Sequence, residues 1–94
     1  MKVGLLLLHL KFPGSDSLKA KRSRLQPLLA RLRREFNVSV AEVDMQDSWQ
    51  DSTLACALVN SSAAGAQRSL QRIPDWLEHN WHDAQLVDEK IELL

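Results

Sequence analysis

The sequence predicts an α+β fold, one antiparallel sheet of four strands with two helices on a single face. Three observations lead there. Two long stretches carry apolar residues at mostly three- and four-residue spacings, as one face of a helix does. Four shorter runs rich in aliphatic residues lie before, between and after them, in the order strand, helix, strand, strand, helix, strand. The length allows one domain, spanning residues 1–94, and 45% hydrophobic with 26% charged residues is the balance of a chain with a single core.

Val3 to Phe12 reads as the first strand. It is apolar on both parities as far as His9 and Lys11, so it belongs in the middle of the sheet with both faces largely covered. Pro13-Gly14-Ser15-Asp16-Ser17 is a turn that ends in helix-capping residues. The first helix runs from Leu18 to Phe36 on a stripe of Leu18, Leu25, Leu29, Leu32 and Phe36, and Pro27 inside it predicts a kink. Asn37 suits a left-handed helix stop. Val38 to Met45 and Thr53 to Asn60 form a hairpin around a polar reversal, Asp44 to Asp51, that carries Trp49. The second of these strands is apolar throughout and therefore central. Ser61 and Ser62 can cap a second helix with the stripe Ala63, Ala66, Leu70, Ile73, Leu77 and Trp81, kinked at Pro74. Leu86 to Leu94 is the last strand.

Two right-handed β-α-β crossovers joined by a hairpin close as one sheet in the strand order 4-1-3-2. The first and third strands then lie centrally, where their composition places them. This is the ferredoxin-like plan.

Charge is unevenly distributed although the net charge is zero. Between Ser17 and Phe36 stand Lys19, Lys21, Arg22, Arg24, Arg31, Arg33 and Arg34 against one acid, Glu35, so this segment carries +6 and the remainder −6. The molecule is expected to be electrically polar, with a positive helix on an acidic body. One cysteine, Cys56, allows no internal disulfide and fits a reducing compartment. The leucine run near the N-terminus is short, and charge returns at Lys11, which speaks against a signal peptide. No stretch reaches the ~18 apolar residues that span a bilayer. A cytoplasmic protein without membrane partners is expected.

Four segments together resemble a known family: Ser17-Leu18-Lys19-Ala20-Lys21-Arg22-Ser23, Phe36-Asn37-Val38-Ser39-Val40-Ala41-Glu42-Val43, Gln46-Asp47-Ser48-Trp49-Gln50 and Ile91-Glu92-Leu93-Leu94. In that order and spacing they resemble the YlxP-like family of small bacterial proteins, a domain of unknown function (DUF503), over almost the whole chain. The resemblance implies a ferredoxin-like fold and a bacterial cytoplasmic setting. Family members are often encoded near translation-initiation and small-subunit maturation genes, which points to RNA or the ribosome by association. The family brings no established active site and no cofactor.

Candidate sites follow from the residues. The turn before the first helix and the helix itself make an anion or nucleic-acid surface of Ser15, Ser17, Lys19, Lys21, Arg22, Arg24, Arg31, Arg33 and Arg34. Helix N-termini attract anions, and such a surface contacts phosphates without reading bases. The competing reading is a solvated helix, with Asp16 occupying the helix start. Lys19, Arg22 and Arg33 fall on one flank of the stripe, Arg24 and Arg31 on the other, and Arg34 points outward.

The face of the sheet away from the helices presents Val3, Leu5 and Leu7, an apolar row that suits a partner and, most simply, a second copy of the chain. RNA recognition by base stacking on this face is not expected, because the central strands lack aromatics apart from Phe12 at one end. Trp49 either anchors a partner or packs on a helix end, and packing is the expectation. Asp44, Asp47 and Asp51 read as turn residues rather than a cation site, and His79 with His82 lacks further zinc ligands. Cys56 reads as a small hydrophobe. The enzyme alternative is an acylphosphatase, which shares the topology, but the loop Phe12 to Ser17 lacks that family's arginine. The expected function is a non-enzymatic module, dimeric and binding RNA or the ribosome through its first helix. The alternative is a protein-only interaction module.

Overall fold

The computed structural model describes residues 1–94. Its elements are β1 (Lys2–Lys11), α1 (Leu18–Glu35), β2 (Ser39–Asp44), β3 (Asp51–Asn60), α2 (Ala63–Asn80) and β4 (Gln85–Leu93). Every strand pairing is antiparallel, and the strands lie in the order β2-β3-β1-β4. The ferredoxin-like arrangement expected from the composition of the central strands is the one observed.

Alternation along β1 decides which face is buried. Leu6, Leu8 and Leu10 are at most 1% exposed and join Leu54 and Cys56 of β3, Val40 of β2 and the stripes of both helices in one cluster. Each such leucine stabilises the fold by about 2 kcal/mol through burial. Gly4 lies on the same side, and a Cβ there would come 2.8 Å from Leu70 Cδ1 of α2. The missing side chain lets α2 approach β1 closely. The opposite parity of β1 has no element above it, so Val3, Leu5 and Leu7 stay half-exposed. Central position therefore covers one face of β1 and not both.

Both helices start as expected. Ser17 Oγ accepts from Ala20 N–H at 3.0 Å, and Ser62 Oγ accepts from Gly65 N–H at 3.0 Å. Neither proline breaks its helix: α1 runs unbroken through Pro27 and α2 through Pro74. Pro27 sits on an exposed turn, where water can replace the lost backbone bond. Asn37 is not a left-handed stop. The helix ends at Phe36 in an extended conformation (φ −128°, ψ 144°), because this ring turns inward against Trp76 at 5.8 Å and the chain enters β2 directly. Left-handed backbone occurs instead at Gly14, φ 81°, in the turn after β1, and at Met45, φ 60°, in the hairpin. No helix is long and apolar enough to cross a membrane.

Burial in this core pushes the Cys56 thiol from its ordinary 9.0 up to about 12, because desolvation penalises the thiolate. A raised folded-state value means that this contribution to stability is complete below pH 9 and is lost as pH climbs from 9 toward 12. Native Cys56 is expected to resist iodoacetamide near neutral pH and to react once guanidinium unfolds the chain. Urea midpoints should fall above pH 9, and less steeply in a Cys56→Ala variant. Rapid alkylation of the native protein would contradict the buried position.

Candidate functional site

The basic residues of α1 divide by what they touch. Three of the seven pair with acids: Lys21 with Glu42 at 3.1 Å, Arg24 with Asp83 at 3.0 Å and Arg31 with Glu35 at 2.8 Å. Arg24 also donates to the Pro13 carbonyl and to Ser15 Oγ, and its guanidinium lies 5.5 Å over the Phe12 ring. It thus fastens the loop after β1 to the loop after α2. Arg31 lies 5.4 Å over Trp76. These two arginines occupy the flank of α1 that faces α2, as their place on the helical wheel requires.

Lys21, expected at an anion surface, lies in the interior instead. It is 1% exposed. Its Nζ donates to the carbonyls of Met45 and Asp51, both at 2.8 Å, beside the Glu42 carboxylate. Glu42 in turn accepts from the fully buried Ser52 Oγ at 2.6 Å. The ammonium therefore faces three oxygens, two carbonyls that it donates to and one carboxylate that it pairs with, all from β2, β3 and the turn between them. Lys21 stands three residues after Leu18 and four before Leu25, inside the apolar stripe, and that spacing is the sequence signal of its burial.

Ser15 and Ser17 also leave the anion surface. Ser15 is buried with its hydroxyl on Arg24, and Ser17 is the helix cap. Asp16 is exposed and does not cap the helix. The Arg24 guanidinium reaches into the loop from Pro13 to Ser17, where it donates to the Pro13 carbonyl and Ser15 Oγ.

What remains is one flank. Lys19, Arg22, Arg33 and Arg34 are exposed, and none lies within 4 Å of a carboxylate. Arg33 donates to the Val40 carbonyl at 2.9 Å, which lays its side chain toward β2 while leaving its charge unneutralised. With Gln26 between them, Lys19, Arg22 and Arg33 line the β2 side of α1 over about 21 Å at 1.5 Å per residue, and Arg34 points outward beside them.

The hairpin tip holds Trp49, 55% exposed. It does not pack on a helix end, because Lys21 draws the base of the hairpin against the first turns of α1 and leaves the indole beyond it. Asp44 bonds the Met45 N–H, as a turn residue does. A His9–Asp51 pair at 2.8 Å, half-buried on the open sheet face, was not signalled by sequence spacing, since 42 residues separate the two. Thr53 stands opposite His9 in the ladder, and no hydrogen bond joins the two side chains. No three His, Cys, Asp or Glu side chains gather in a way that could hold a metal ion.

Residues 3–91 match the model of a family described as "Protein of unknown function (DUF503)". Over 59 residues the chain is 42% identical to the uncharacterized protein YlxP of Bacillus subtilis (strain 168). That match covers 63% of this chain and 64% of the relative, just under two thirds of the relative's length.

The Lys21 cluster has a measurable consequence. Lys21→Met leaves the Glu42 carboxylate and two carbonyls without their cation and is expected to cost about 3 kcal/mol in urea unfolding. Adding Glu42→Gln should recover only part of this, since the Met45 and Asp51 carbonyls stay unpaired. A loss below about 1 kcal/mol in the single variant would show that the cluster is solvated.

Proposed function

The chain belongs to the DUF503 family of proteins of unknown function, and we propose that it is a non-enzymatic binding module that holds RNA, free or within the ribosome, along the β2-side flank of α1. The observation that supports this is the sorting of charge on one helix. Cations on the α2 side are matched by acids, whereas Lys19, Arg22 and Arg33 on the other side, and Arg34 pointing outward beside them, have none. Unpaired cations spaced along a rigid rod contact phosphates one by one, which positions a nucleic acid without reading its sequence. The open sheet face adds no stacking platform, since it is aliphatic where base-stacking sheets are aromatic. Trp49, at the tip of the hairpin whose base Lys21 fastens to the first turns of α1, is 55% exposed and free to stack on a base.

Fluorescence anisotropy with a labelled RNA oligonucleotide tests the reading. Four phosphate contacts give a slope of about −3 to −4 in log affinity against log salt. Arg33→Gln with Arg34→Gln should reduce that slope to about −2, and Glu at both positions should abolish binding at physiological salt. Arg31→Gln, on the acid-matched flank, should leave the slope unchanged. Absence of RNA binding at low salt, or binding indifferent to Arg33 and Arg34, would leave an acidic protein as the partner of this flank.

A further inference from the structure

The uncovered face of the sheet is complementary to itself, and we infer that two copies of the chain pair through it as a two-fold dimer. Register sets the relief of this face. Val3, Leu5 and Leu7 of β1 stand opposite Val59, Ala57 and Ala55 of β3. A ridge of two leucines therefore runs beside a trough floored by two alanines, and the low ground continues on β2 through Ser39 and Ala41. Val59 is 67% exposed, and the β1 residues are half-exposed.

A two-fold axis parallel to the strands, lying in the interface between β1 and β3, turns the sheet over without shifting its rows. Leu5 then lies over the partner's Ala57, and Leu7 over the partner's Ala55. Facing sheets pack about 10 Å apart with side chains interdigitated, a spacing that leucine over alanine fills evenly. An axis across the strands would set leucine on leucine and alanine on alanine, leaving voids in the second pairing. The face measures about 19 by 34 Å from strand spacing and rise, so overlap removes on the order of 1,200 Å² from water, the lower end for a stable interface.

Charge argues against the other way to pair, edge to edge. β4, at one edge, carries Asp88, Glu89 and Glu92 against Lys90, and β2, at the other, runs beside the cationic flank of α1. Joining two β4 edges or two β2 edges would oppose like charges. In the face-to-face dimer β4 lies over the partner's β2 at the rim. Asp88, Lys90 and Glu92, level with His9, Leu7 and Leu5 and so on the same face, stay at the wet edge beside Ser39 and Ala41, while the aliphatic rows of β1 and β3 form the dry centre.

Sedimentation equilibrium decides the question. The wild-type chain is expected to be dimeric at about 100 µM, and Leu5→Glu to dissociate it at least about 50-fold more readily with an unchanged circular dichroism spectrum. Leu5→Ala and Ala57→Leu should each weaken the dimer about tenfold, and the double variant, which moves the ridge to the other strand, should restore it to within about threefold. A wild-type monomer at about 500 µM, or a dimer indifferent to Leu5→Glu, overturns the interface. A double variant no tighter than either single one overturns the packing of ridge into trough.

Discussion

One ammonium group taken out of water organises this fold. Burying Lys21 costs several kcal/mol in desolvation, and only a full set of oxygens in good geometry offsets it. The set comes from three places that are otherwise independent: Glu42 of β2, the Met45 carbonyl in the turn and the Asp51 carbonyl at the start of β3. To reach them, α1 must sit at one height and one rotation above the sheet. That rotation puts Arg24 and Arg31 toward α2 and leaves Lys19, Arg22 and Arg33 toward β2. The hairpin is constrained in return. Met45 holds a left-handed backbone that costs a residue with a side chain about 1 kcal/mol, with its carbonyl on Lys21 and its N–H on Asp44.

The sheet was legible in the sequence because composition and topology agree. β1 and β3 are the most apolar segments, and the only right-handed closure of β-α-β-β-α-β puts them in the centre. Capping serines fixed both helix starts, since hydroxyl chemistry there is local. The YlxP-like resemblance, resting on four short segments, agrees with the family match over residues 3–91.

The candidate site was half legible. The wheel separated Arg24 and Arg31 from Lys19, Arg22 and Arg33, but it could not show which flank meets acids, because Asp83 lies 59 residues from Arg24. Lys21 misled for the opposite reason: its place in the apolar stripe was visible, but a lysine is almost never fully buried unless paired, and its partners lie 21, 24 and 30 residues away. Asn37 and Met45 exchanged the expected left-handed backbone for the same cause. Local preference favours Asn, and tertiary hydrogen bonds chose Met45. Trp49 stands exposed because those bonds, which no local signal announces, hold the hairpin base and not its tip.

The strand order also has a consequence in time. Of these six elements β1 is synthesised before the others, yet its two neighbours are β3 and β4, and the only strands adjacent in both sequence and sheet are β2 and β3. At ~5–20 residues per second, β1 waits a few seconds for β3 and longer for β4. During that interval its leucines face water or whatever else is nearby, with no hairpin partner to shield them. Long-range pairing of this kind slows folding, because loop closure must precede any gain from the contact. The nascent chain therefore passes through a stage in which the future centre of the sheet is its stickiest exposed segment, and the β2–β3 hairpin, tied to α1 through Lys21, is the part able to form first and offer β1 an edge to dock on.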